Sequence, residues 1–178
     1  MLRNIICAGV GGQGVLTLGM VVADSAASQG HYVTWVPEYE GTMRGGASCT
    51  KVRISDEEII SPLIFKIDYL IALHENALLP YVGDVKDDGL ILVEESLVPD
   101  LSSCGDKKVL KVPCVELAAG VDNERGMSLV AAGAFLAYTD MYDYETGQAA
   151  VARYFEEHGL PVEPNQACFK AGWDFIKG

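Results

Sequence analysis

The chain has 178 residues, 13 Lys+Arg against 25 Asp+Glu for a net charge of −12, and 49% hydrophobic residues. That length predicts one domain over residues 1–178, burying roughly 70% of its unfolded surface. The acidic balance argues against a nucleic-acid or anionic-membrane surface, each of which needs clustered Lys and Arg, and leaves open a basic partner protein or plain solubility.

Residues Asn4–Ala8 read as a buried strand that enters the loop Gly9-Val10-Gly11-Gly12-Gln13-Gly14. A helix is predicted from about Gly12 to Ser28, with Gly30 as its C-cap. Strand two covers His31–Val36, rich in β-branched and aromatic residues. After a loop over Pro37–Gly46, Ala47–Ile54 alternates small or apolar with polar residues. It reads as a half-exposed strand placed antiparallel or mixed. Glu58-Ile59-Ile60 followed by Ser61-Pro62 reads as a segment projecting from the sheet edge.

The apolar runs Asp68–Leu73 and Gly89–Val93 fit central parallel strands, separated by a short helix around Asn76–Val82. Lys107–Val112 is a further strand, and the chain turns helical from Cys114. Met127–Leu136 is apolar all round and reads as a buried helix. Thr146–His158 and Asn165–Ile176 read as amphipathic helices. The alternation predicts an α/β fold: a three-layer α/β/α domain with a mostly parallel, mixed sheet and a Rossmann-like start.

Cys7, Cys49, Cys104, Cys114 and Cys168 are scattered and never in C-x-x-C spacing. This fits a reducing cytoplasm and excludes an iron–sulfur cluster held in ferredoxin spacing. His31, His74 and His158 form no zinc pattern. No window approaches a membrane span, and Met1-Leu2-Arg3-Asn4 runs straight into a strand, with no signal peptide expected. A mean hydropathy of +0.18 with no such span points equally to a large partner interface or a well-filled core.

Gly9, Gly11 and Gly14 match G-x-G-x-x-G, the spacing that brings a pyrophosphate against a helix N-terminus. A dinucleotide site also needs an acid at the end of strand two. That strand ends Thr34-Trp35-Val36-Pro37, and the first carboxylate is Glu38, in the loop beyond the proline. The loop therefore either binds a nicotinamide nucleotide, serves close strand–helix packing, or meets a partner's anion. The second glycine element is Arg44-Gly45-Gly46, an arginine fork on a permissive backbone, suited to a carboxylate or phosphate or simply solvated in a hairpin.

Gly9-x-Gly11-Gly12-Gln13-Gly14-Val15, Val33-Thr34-Trp35 with Pro37, and Tyr39 with Met43-Arg44-Gly45-Gly46 together form a wider pattern. It continues in Val52-x-Ile54-Ser55-Asp56, Ile60-Ser61-Pro62, Asp68–Leu73, Gly133-Ala134 and Asn165-x-x-x-Phe169-x-x-Gly172. In this the chain resembles the gamma subunit of the 2-oxoacid:ferredoxin oxidoreductases, which act on pyruvate, 2-oxoglutarate, branched-chain 2-oxoacids or indolepyruvate. Two positions depart from the family pattern: Glu40-Gly41-Thr42 replaces its glycine, proline and glutamate, and Ser128 stands where asparagine is usual.

The resemblance implies oxidative decarboxylation of a 2-oxoacid, of the 2-oxoglutarate or pyruvate class, to an acyl-CoA with reduction of ferredoxin. Thiamine diphosphate, magnesium and [4Fe-4S] clusters would lie on alpha, beta and delta-type partners, with coenzyme A bound among them. This chain would hold no catalytic residue and no metal. It would present Gly9, Gly11, Gly12, Gln13, Gly14, Arg44, Gly45 and Gly46 to a cofactor or an interface. The alternative is a stand-alone NAD(P)-binding oxidoreductase using the Gly9–Gly14 loop.

Overall fold

The computed structural model describes residues 1–39 and 47–178. β1 (Leu2–Val10) leads through the glycine loop into α1 (Val15–Ser28), followed by β2 (Tyr32–Tyr39), β3 (Ala47–Ser55) and β4 (Ile67–Ala72). After α2 (Glu75–Val82) come β5 (Val85–Glu94) and β6 (Lys108–Val112), and then four helices, α3 (Cys114–Gly120), α4 (Met127–Thr139), α5 (Tyr144–Glu157) and α6 (Glu163–Lys177). The strands form one sheet in the order β2-β3-β1-β4-β5-β6. β3 runs antiparallel to both neighbours, while β1, β4, β5 and β6 pair in parallel. The fold is the mixed, mostly parallel α/β architecture that the alternating pattern predicts.

The layers are unequal. Ile5, Cys7, Val52, Ile54, Ile71, Leu73 and Leu92 face a core closed by α1, α3, α4, α5 and α6. The alternate residues Ile6, Ala8, Leu70, Ala72, Ile91 and Val93 face α2. The carboxyl halves of β4 and β5, Leu70–Ala72 and Leu90–Val93, are buried on both faces, and for that reason each is a continuous apolar run. α4 is buried over eleven of its thirteen residues, from Met127 to Ala137. It packs on α6 through two glycines: a Cβ on Gly133 would fall on the Phe169 carbonyl, and one on Gly172 on the Val130 carbonyl.

Several boundaries move from the sequence expectation. α1 starts at Val15 rather than Gly12, because Gly12 and Gly14 take φ of +94° and +74°, outside helical space. Its C-cap is Gln29, one residue before the expected Gly30, which follows at φ +83° and donates to the Ala27 carbonyl. β2 extends to Tyr39, through Pro37. An edge strand tolerates a proline because one of its sides needs no ladder partner.

Candidate functional site

β1 delivers the glycine loop to the carboxyl end of the parallel strands, where open α/β sheets place their ligands. The turn is held from within by Gln13. Its Oε1 accepts from the Val10 amide at 2.8 Å, and its Nε2 donates to the Leu73 carbonyl at 3.1 Å. The side chain thus ties the end of β1 to the residue that follows β4. The glycines fit around it. A Cβ on Gly9 would lie 2.6 Å from Gln13 Oε1 and 2.7 Å from Val15 Cγ2, and one on Gly14 would fall on Ser128 Oγ. Gly12 has open space about it and is required only for its positive φ.

Gly14 is the N-cap of α1 and offers no side chain to it. Beside this end lies a cavity of about 400 Å³, lined by Gly14, Thr17, Asn123, Arg125, Ser128 and Asn165 among others. Thr17 donates to the Tyr154 hydroxyl at 3.1 Å, and Asn123 donates to Asn165 Oδ1 at 3.1 Å. Ser128 is only 3% exposed and makes no hydrogen bond among the described residues. Arg125 is exposed, with Asp122 and Glu124 beside it. Asn123, Arg125 and Ser128 carry no local sequence motif. Folding brings them to α1 by docking the start of α4 against Gly14, so pattern reading misses them.

Of the residues singled out in the sequence, Gly9, Gly11, Gly12, Gln13 and Gly14 form this turn. Arg44, Gly45 and Gly46 lie outside the described residues. The strands flanking them do reach the same end of the sheet: Ala47 pairs with Val10, and Tyr39 with Ser48.

Two features separate the turn from a dinucleotide site. β3 is inserted between β1 and β2, so the end of β2 stands two strand spacings, about 10 Å, from β1. Glu38 lies within β2 rather than in the loop, and its carboxylate accepts from Lys51 Nζ at 2.7 Å. That bond lowers its pKa below the usual carboxylate value. Trp35 packs toward α1, and its indole N–H finds no partner among the described residues.

All five cysteines are free and buried. Burial raises every thiol pKa, that of Cys7 to about 12 and that of Cys168 to about 11. These are neutral, packed thiols, and thiolate is the form that ligates and attacks. Among the described residues no group of three or more His, Cys, Asp or Glu is placed to hold a metal ion, and no helix is long and apolar enough to cross a membrane.

The family described as pyruvate ferredoxin/flavodoxin oxidoreductase matches residues 4–175. The 2-oxoglutarate synthase subunit KorC of Methanothermobacter thermautotrophicus is 30% identical over 187 residues, covering 98% of this chain and 95% of that protein. The ketoisovalerate oxidoreductase subunit VorA of Methanothermobacter marburgensis is 30% identical over 96% of this chain, and the chain spans only 36% of its length. Among solved structures, the gamma subunit of keto/oxoacid ferredoxin oxidoreductase from Geobacter sulfurreducens superposes with a TM-score of 0.83 at 30% identity, covering 98% of each chain. Matched from β1 into α6, this chain belongs to the pyruvate ferredoxin/flavodoxin oxidoreductase family.

Proposed function

We propose that the chain is a gamma-type subunit of a cytoplasmic, multi-subunit 2-oxoacid:ferredoxin oxidoreductase of the 2-oxoglutarate or pyruvate class, forming one domain. The observation that carries this reading is the end-to-end likeness to the Geobacter sulfurreducens gamma subunit, 98% of each chain at 30% identity. In the complex a 2-oxoacid is oxidatively decarboxylated to an acyl-CoA, and ferredoxin receives the electrons. Alpha and beta chains, with a delta chain where that is separate, hold thiamine diphosphate, magnesium and the [4Fe-4S] clusters. The residues of this chain do not fit a cluster, because its five thiols are packed apart in the core.

The cavity beside α1 does fit an anion. It combines the uncapped start of a 14-residue helix, the Ser128 hydroxyl and the Arg125 guanidinium. These residues would hold a phosphate of coenzyme A or a carboxylate of a partner chain. Arg44, with Gly45 and Gly46, would serve the same end of the sheet. The nicotinamide alternative retains the strand–turn–helix order, but the Gln13 amide fills the inside of the turn and β3 displaces the end of β2.

The isolated chain, given 2-oxoglutarate or pyruvate, thiamine diphosphate, coenzyme A and ferredoxin, is expected to show no turnover. NADH titrated against it is expected to draw no energy transfer from Trp35 at micromolar concentration. Turnover by the chain alone, or micromolar NADH binding, would contradict the subunit reading.

A further inference from the structure

The connection between β3 and β4 carries six apolar residues in the seven from Ile59 to Phe65. It forms neither helix nor strand. Ile60, Leu63 and Phe65 are 99%, 62% and 79% exposed. The segment is nonetheless tied down. Arg53 donates to the Ser61 carbonyl through Nη1 and to Asn4 Oδ1 through Nε at 3.0 Å. Asn4 Nδ2 in turn donates to the Lys66 carbonyl at 3.0 Å, and Ile64 packs inward on the α2-side core. An apolar arm is thus anchored by its backbone and by Ile64 while Ile60, Leu63 and Phe65 face water.

Leu2 and Tyr32, 44% and 53% exposed, both stand opposite Ser55 at this same end of the sheet. The nine-residue β1 places the patch about 25–30 Å from the glycine loop. It is a surface separate from the α1 cavity. Contiguous exposed apolar residues rimmed by polar ones mark a protein interface.

We propose, resting on the subunit reading above, that residues 57–65 are a docking arm for a companion chain of the oxidoreductase that presents an apolar groove rimmed by Lys and Arg. Charge selects this occupant. Asp56, Glu57 and Glu58 lead into the arm, and neither Glu57 nor Glu58 has an ion-pair partner among the described residues. A two-fold contact with a second copy would set this acidic run against itself, on chains that each carry −12. A basic rim supplies the missing partners and speeds encounter.

The test is co-expression of the full chain with its companion chains, comparing the natural sequence with the double variant Ile60→Asp, Phe65→Asp and with Glu57→Lys, Glu58→Lys. Because these side chains are exposed, each variant is expected to keep the parent melting temperature. The apolar variant is expected to bind the companions at least tenfold more weakly, and the charge variant to associate more slowly with a flatter salt dependence. Hydrogen exchange at 57–66 is expected to slow on assembly. Full-strength assembly by both variants, with no protection at 57–66, would overturn the arm and leave the subunit reading standing. Failure of the natural chain to assemble would overturn that reading first. Self-association of the isolated chain, abolished by Ile60→Asp, would assign the patch to a second copy and overturn the proposal.

Discussion

Gln13 decides what the glycine loop can do. In a nucleotide-binding turn the backbone amides point at a phosphate, whereas here the Val10 amide is taken by Gln13 Oε1. The same side chain closes on the Leu73 carbonyl. Gln13→Ala is expected to destabilise the fold by ~1 kcal/mol or more in urea unfolding, the cost of losing two part-buried hydrogen bonds. Gln13→Glu keeps the acceptor, loses the donor to Leu73, and is expected to lose a similar amount. An unchanged midpoint for both would remove the plug from the account. The glycine spacing of this turn was legible because a sharp backbone bend has few sequence solutions. The role of Gln13 was not, since an amide reads the same whether it faces water or a carbonyl. Arg125 illustrates the same limit, lying outside any motif and reaching α1 only through the docking of α4. In the assembled enzyme, Arg125→Ala is expected to raise KM for coenzyme A severalfold with kcat unchanged. An unaltered KM together with undiminished assembly would return Arg125 to a solvent-facing role.

At the scale of elements, α4 and α6 cross where both backbones lack a Cβ, at Gly133 and Gly172. Glycine inside an exposed helix costs up to ~1 kcal/mol relative to alanine, so Gly→Ala ordinarily stabilises. Here the sign reverses, because the added methyl of Gly133→Ala would meet the Phe169 carbonyl and force the helices apart. The expected outcome is a net loss of ~1–3 kcal/mol, measured by thermal or denaturant unfolding. A gain in stability would show that the helices do not approach so closely. The central strands and the buried α4 were legible because both carry uninterrupted apolar runs. The place of β3 was only half legible. Its alternating pattern and short link suggested antiparallel pairing with β2, and the structure shows that pairing. Its second pairing, with β1, is non-local and leaves no signal in the strand itself. That insertion carries the end of β2 away from the glycine loop.

Across the described residues, five of the six α-helices lie on one face of the sheet, and α2 covers the other together with Val98, Leu101 and Cys104. The surplus hydropathy divides between a filled core and the exposed arm at 59–65. Sequence composition could not separate those two contributions, because burial is fixed only by the fold. The chain spans about a third of VorA yet nearly all of KorC, so the same fold appears both as part of a longer chain and as most of a shorter one. A unit used in both ways needs surfaces made for neighbours. The glycine-loop end and the apolar arm, at opposite ends of β1, are the two surfaces proposed for this. Omission and add-back test this most directly: the companion chains are purified without this one, and 2-oxoacid-dependent ferredoxin reduction is followed as it is titrated in. The expected result is little or no activity at first, rising to a plateau at a fixed stoichiometric ratio. Full activity without the chain, or no response to its addition, would contradict its role as a working subunit.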